Sequence, residues 1–390
     1  MAIKLIKSAF YHEMETRVKL CEFLSHPEQL SIGKYCLEFE DKFAKWQGRE
    51  YCVFVNSGSS ANLILLQSLL NTGRLQKGDE VGFSSLTWAT NPMPLMQLGY
   101  TPIPIDIELG TLNVSLESFQ RSIEGKNIKA LFITNVLGFC DNIDAIAEYC
   151  ESQNILLIED NCESMGTVYK GKKLGNYGLA STFSTYIGHH MSTIEGGMVC
   201  TDDRDLYINL VMTRAHGWDR NLPADIQDEI RAKYGVGGFY AKYAFYTLGY
   251  NVRPNEINGF IGSDQMQYLD EIVTIREANF KRFVEKVNSN PDFYPIQHDH
   301  IEKVSNFAIP VVCKSLEILE KYKVRFEAEE VEIRPIISGD ITEHIFWKEA
   351  YGKLNKKTTA QLVHSQGFYF GNSPEYTEDE ITILTGLLSI

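Results

Sequence analysis

The chain is predicted to be an α/β protein with a mostly parallel central sheet, helices on both of its faces, and a smaller α+β domain after it. Three observations lead there. Short apolar runs alternate with longer amphipathic ones, the rhythm of strands joined by helices. The 390 residues, 44% of them hydrophobic, exceed the size at which one core usually stops growing, so two domains are expected. Small and polar residues gather just after several apolar runs, where open parallel sheets bind ligands.

In chain order, "CVFVN" (52–56) reads as a strand leading into the helical "ANLILLQSLL", and "DEVGFSS" (79–85) as a strand before a polar turn and another apolar stretch. "KALFITNV" (129–136) precedes the helical "DAIAEYCESQ", and "ILLIED" (155–160) follows it. "ASTFSTY" alternates small and larger residues like a buried strand, and "GGMVCTD" (196–202) reads as one more, with an antiparallel setting open to it. After "LGYNVRP" (248–254) a single long helical pattern runs from about Asn255 to Ser289. The strand-like "NFAIPVVC" (306–313) and "VEIRPII" (331–337) follow. The expected boundary lies near residue 250: a large cofactor-binding domain over 1–250, including the N-terminal segment, and a small C-terminal domain over 251–390.

A net charge of −14 and a pI near 5.2 argue against nucleic acid or an anionic membrane surface as partner. No apolar run approaches a membrane span, and "MAIKLIKSAFYHE" turns polar too soon for a signal peptide, so a cytoplasmic protein is expected. The eight cysteines show no C-x-C or C-x-x-C spacing, which predicts reduced thiols and neither an iron–sulfur cluster nor a structural zinc.

Three features mark strand ends. "NSGSSAN" (56–62) opens a helix with small residues, so that the first-turn N–H groups and the hydroxyls of Ser59 and Ser60 suit a phosphate; the same pattern serves as a plain N-cap. Asp160 ends "ILLIED", where a carboxylate is exposed, paired with a cation, or aimed at a ligand; Glu163 would point the same way if the chain turned helical. The third is "STFSTYIGHHMSTIEGG" (181–197), with Ser184 near a strand end and adjacent His189 and His190. Adjacent side chains in an extended segment point to opposite sides, which disfavours a metal pair and leaves structural histidines or a reactive group.

The order of these features resembles the DegT/DnrJ/EryC1/StrS family of nucleotide-sugar aminotransferases. Supporting stretches are "LSIGKYCLEFEDKFAKWQG" (30–48), "SLTWATNP" (85–92), "IEDNCESMG" (158–166), "RAHGWDRNL" (214–222), "GYNVRPNEINGFIG" (249–262) and "IRPIISG" (333–339). The resemblance implies the aspartate aminotransferase-like (type I) fold of pyridoxal 5′-phosphate enzymes and a homodimer with shared active sites. It further implies that Gly58, Ser59 and Ser184 hold the cofactor phosphate, Asp160 pairs with the pyridine nitrogen, Trp88 stacks on the ring and Glu163 lies near its 3-hydroxyl. Asn251 would reach the phosphate of the neighbouring subunit, and His216, Arg220 and Arg334 would line the substrate cleft.

One position departs from the family. Six residues before Glu195, where the family places the lysine that tethers the cofactor, stands His189, and no lysine occurs between Lys173 and Lys233. An imidazole is no primary amine and cannot make that link. The chain resembles the subgroup with histidine there, the nucleotide-linked 4-keto-6-deoxyhexose 3-dehydratases. The implied activity is loss of the C3 hydroxyl from such a sugar, with GDP-4-keto-6-deoxymannose the implied substrate and His189 the acid–base group. Pyridoxamine phosphate would be held without a covalent tether and restored by L-glutamate. Two alternatives stay open: a sugar aminotransferase using an unconventional lysine, and a non-catalytic cofactor-binding relative.

Overall fold

The alternating apolar runs form a seven-stranded sheet in the computed structural model, which describes residues 2–353 and 357–390. Its strands are β1 (Tyr51–Val55), β2 (Glu80–Ser84), β3 (Thr101–Ile105), β4 (Ile128–Thr134) and β5 (Leu156–Asp160), then, past a small hairpin of β6 (Val168–Tyr169) and β7 (Lys172–Lys173), β8 (Ala180–Ser184) and β9 (Gly197–Thr201). The order across the sheet is β1-β9-β8-β5-β4-β2-β3. Strands β3, β2, β4, β5 and β8 pair in parallel, and β9 lies antiparallel between β1 and β8. The expected strands are all present. Strand β3, "TPIPI", has no counterpart among them because Pro102 and Pro104 disguise it; it pairs only with β2, at the sheet edge, where a missing N–H breaks no ladder.

The expected helix from Asn255 to Ser289 is instead two helices, Glu256–Gln265 and Leu269–Ser289, joined by a 3₁₀ turn at Met266–Tyr268. At the break the Gln267 side-chain amide donates to the Asp264 carbonyl at 2.8 Å, satisfying an acceptor that a continuing helix would use for its own N–H. The C-terminal half builds a second sheet, β10 (Ala308–Val312), β11 (Ile333–Pro335) and β12 (Gly367–Gly371), in the antiparallel order β10-β12-β11. One apolar core runs from Ile105, Leu131 and Phe139 under the large sheet through Phe280 and Phe283 of helix Leu269–Ser289 to Phe370 of β12. The N-terminal segment crosses this region. Ile3 bridges to Val331, the Leu5 N–H donates to Glu332 at 3.0 Å, and Lys7 pairs with Glu380 at 2.6 Å. Among the described residues no helix is long and apolar enough to cross a membrane.

Candidate active site

A cavity of about 330 Å³ opens beyond the C-terminal ends of β4, β5 and β8. Eight residues singled out from the sequence line it: Gly58, Ser59, Trp88, Asp160, Glu163, Ser184, His189 and Arg334.

The anion cradle begins where β1 stops. Ser57, extended, caps helix Gly58–Asn71 by accepting from the Ser60 N–H at 3.0 Å. That leaves the N–H groups of Gly58 and Ser59, which have no intrahelical acceptor. The approach is close: a Cβ on Gly58 would stand 2.8 Å from the Ser184 Cβ, and one on Gly197, at the start of β9, 2.5 Å from the Gly58 nitrogen. Both glycines therefore bring the helix start against β8 and β9, and Ser184 beside it.

Asp160, 3% exposed, accepts three hydrogen bonds: from Asn62 Nδ2 and Asn91 Nδ2 at 2.9 Å each, and from the Cys162 N–H at 3.0 Å. A carboxylate has about four lone-pair sites, so one is left for a donor in the cavity. Neither asparagine was singled out from the sequence. Asn62 had a signal: it is a polar residue entering the apolar run "LILLQSLL" and fully buried, a position that demands a partner.

No helix follows Asp160. Asn161 Oδ1 accepts from the Ser164 hydroxyl at 2.7 Å and its carbonyl from the Ser164 N–H at 3.2 Å, a local turn that competes with helix. Glu163 still reaches the cavity, where it accepts from the Leu137 N–H at 2.9 Å. Burial pushes its carboxyl up to about 8, so at pH 7 it is protonated and can donate as well as accept. Ionising it costs the folded chain what it does not cost the unfolded one. Its contribution to stability is complete below about 4.5 and is lost as pH rises to about 8. Glu163→Gln, which cannot ionise, should outlast the unsubstituted protein in urea by a growing margin from pH 5 to 9, at about 1.4 kcal/mol per unit of pKa shift. Parallel stability curves would show that the carboxyl ionises freely.

His189 follows β8 on an irregular loop and stands in the cavity wall. Phe307 stacks on its ring, with centroids 5.0 Å apart and planes 24° from parallel. Its carbonyl accepts from Arg276 of helix Leu269–Ser289 at 3.2 Å, and Arg276 also donates to the Asn372 carbonyl. The residue thus belongs to the large sheet's loop but is gripped from the C-terminal half. Desolvation lowers the imidazole to about 4, opposed by the charge of Asp160, so it is neutral at pH 7 and ready to accept a proton. Arg276 and Phe307 had no signal in the sequence; the arginine reads as part of a solvated helix face, yet it is buried.

Trp88 sits at the rim, 54% exposed. Arg334 is held by Glu332 through Nε at 3.1 Å and Nη2 at 2.7 Å, and the same carboxylate takes the Leu5 N–H. Three expected residues lie outside the cavity. His216, at φ 63°, donates its N–H to the Tyr250 carbonyl at 2.7 Å; Asn251 bridges to Ala215; Arg220 lies over the Trp218 ring at 5.1 Å. They share the stretch 214–253, which also carries the exposed aromatic side chains Tyr234, Phe239, Tyr240, Tyr243 and Phe245.

Pyridoxal or pyridoxamine phosphate fits the residues present: unpaired helix N–H groups against a serine hydroxyl, a buried carboxylate with one acceptor site to spare, and a protonated glutamic acid between them and the C-terminal half. Comparison with known proteins agrees. The model of the DegT/DnrJ/EryC1/StrS aminotransferase family matches residues 12–387. The GDP-4-keto-6-deoxy-D-mannose 3-dehydratase of Escherichia coli O55:H7 is 34% identical over 367 residues, 93% of each chain. That of Yersinia pseudotuberculosis is 35% identical over 368 residues, 92% of this chain and 91% of that one. A crystal structure of GDP-4-keto-6-deoxymannose-3-dehydratase with a trapped PLP-glutamate geminal diamine superposes with a TM-score of 0.88 at 31% identity, covering 99% of this chain and 100% of that one.

Proposed function

The chain belongs to the DegT/DnrJ/EryC1/StrS aminotransferase family, and from that premise we infer that it is a pyridoxal phosphate-dependent nucleotide-sugar 3-dehydratase. It removes the C3 hydroxyl of GDP-4-keto-6-deoxymannose to give the 3-deoxy-4-keto sugar, and L-glutamate restores pyridoxamine phosphate. The observation that carries this reading is His189, an imidazole standing in the cavity wall at the lysine position. The two other readings, an aminotransferase with an unconventional lysine and a non-catalytic relative, are not favoured beside relatives that share the activity's name along nearly their whole length.

When bound, pyridoxamine phosphate supplies an amine for the sugar ketone and a ring that takes up the electron pair left when a proton departs. The chain's own residues do the rest. Gly58, Ser59 and Ser184 hold the phosphate, Asp160 keeps the pyridine nitrogen protonated, Glu163 donates toward the 3-hydroxyl, and Trp88 covers the ring from the rim. The Nδ1 of His189 is buried, so Nε2 takes the proton and, as imidazolium, returns it to the departing C3 oxygen. The atoms balance with glutamate as the two-electron reductant: one hydroxyl is exchanged for hydrogen, and 2-oxoglutarate and ammonia are released.

The reading gives Arg334, which lines the cavity, a contact with the substrate. For His216, Arg220 and Asn251 the reading is a homodimer in which they complete a neighbour's site; the exposed Phe239, Tyr240, Tyr243 and Phe245 on the same segment support an interface there. A division near residue 250 is supported by the two sheets, one wholly before it and one wholly after. A cytoplasmic setting suits the nucleotide-sugar substrate.

Purified protein given pyridoxal phosphate, glutamate and GDP-4-keto-6-deoxymannose should release ammonia and 2-oxoglutarate in equal amounts while forming the 3-deoxy sugar. An amino sugar in place of the 3-deoxy sugar and ammonia, with 2-oxoglutarate still released, would overturn the assignment.

A further inference from the structure

One wall of the active-site cavity comes from the N-terminal segment: Leu5 and Ile6 line it, beside Arg334 of β11 and Tyr369 of β12. Strand β11 is the edge of its sheet, and Ile3 pairs in parallel with Val331 just before it. The Ile3 N–H donates to the Glu330 carbonyl at 3.0 Å, and the Glu332 N–H to the Ile3 carbonyl at 2.9 Å. A parallel ladder would next pass the Leu5 N–H to the Glu332 carbonyl. It goes instead to Oε2 of the Glu332 side chain, at 3.0 Å. The carboxylate thus replaces a backbone acceptor at the point where the segment leaves the sheet edge for the cavity.

The crossing itself is close. A Cβ on Gly371, the last residue of β12, would stand 3.1 Å from the Leu5 Cα, so a bare glycine lets the segment pass the strand end. A Cβ on Gly188 would lie 3.5 Å from Ile6 Cδ1, which sets Ile6 against the residue before His189. Farther on the segment is clipped again, Lys7 donating to Glu380 at 2.6 Å and to the Glu375 carbonyl at 3.1 Å.

The other oxygen of the same carboxylate, Oε1, accepts from Arg334 Nε at 3.1 Å and Nη2 at 2.7 Å. Residues two apart on a strand share a face, so Glu332 lies alongside the arginine. Arg334 is the one Lys or Arg among the described residues that line the cavity.

We propose that Glu332 is a positioning residue: one oxygen fastens residues 3–8 as a strap over the cavity, and the other orients Arg334 toward the substrate. Strap and guanidinium form a single wall, and loss of the carboxylate loosens both at once. The proposal rests on Arg334 meeting the substrate.

The test is amide hydrogen exchange in the full-length protein, followed by mass spectrometry, beside steady-state kinetics. Glu332→Gln has the same shape but offers one acceptor oxygen where two sets of donors need two. It should speed exchange across residues 3–8 about tenfold. It should also raise KM for the sugar about fivefold, the upper reach of a partly exposed ion pair, with kcat within about twofold. Arg334→Gln should raise KM and leave exchange in the strap as it was, and deletion of residues 2–6 should raise KM with Glu332 and Arg334 both in place. Unchanged exchange in Glu332→Gln, faster exchange with KM unmoved, or a deletion that leaves KM where it was would overturn the proposal. A protein that makes no 3-deoxy sugar would overturn the functional reading instead, and exchange in Glu332→Gln would still decide whether the carboxylate fastens the strap.

Discussion

His189→Asn should lower the rate of 3-deoxy sugar formation by about 10²–10⁴-fold, the usual worth of a positioned general acid–base group. Asparagine keeps a polar amide of similar reach and leaves the loop's carbonyl bond to Arg276 in place. It has no nitrogen that titrates, so it can neither take a proton nor return one. Cofactor binding, followed by absorbance during titration with pyridoxamine phosphate, should stay within a few-fold, because the cradle at Gly58 and Ser184 and the Asp160 contact lie on other elements. Undiminished turnover would move the acid–base role to another residue, with His190 the first to examine.

Asp160→Asn should cost about 10²–10³-fold in kcat and weaken the cofactor as well. The substitution nearly preserves shape but removes the charge and one acceptor. The Asn62 and Asn91 amides both donate to one oxygen of Asp160 and the Cys162 N–H to the other, so the new side chain must turn an NH₂ toward a donor on one side or the other. A buried group left unpaired in this way costs about 1–3 kcal/mol. Titration of the variant with pyridoxal phosphate, set beside its turnover, checks both effects. Wild-type turnover with intact affinity would show that Asp160 serves packing alone.

The fold was legible where periodicity carried it. Strands β1, β2, β4 and β5 lie within apolar runs and β8 within a run of small and apolar residues, all with both faces of the sheet covered, and β9 stands out by its Gly-Gly start. Elements whose identity depends on neighbours were hidden: β3 by prolines that only an edge tolerates, and β12, "GFYFG", by the glycines at its ends. The same division holds in the site. Residues at strand ends and the helix start could be named from position, and they line one cavity. Arg276 and Phe307 could not, since they reach His189 from more than 80 residues away and carry no local pattern.

The grip of Phe307 and Arg276 on His189 has a stereochemical consequence. A lysine chain swings on several single bonds, whereas an imidazole stacked on one ring and anchored through its own carbonyl has little room to move. Such a base meets a bound sugar from one side only. If His189 both takes the proton and returns it, as proposed, the atom it takes it from and the C3 oxygen are expected on the same face of the bound molecule, a syn elimination.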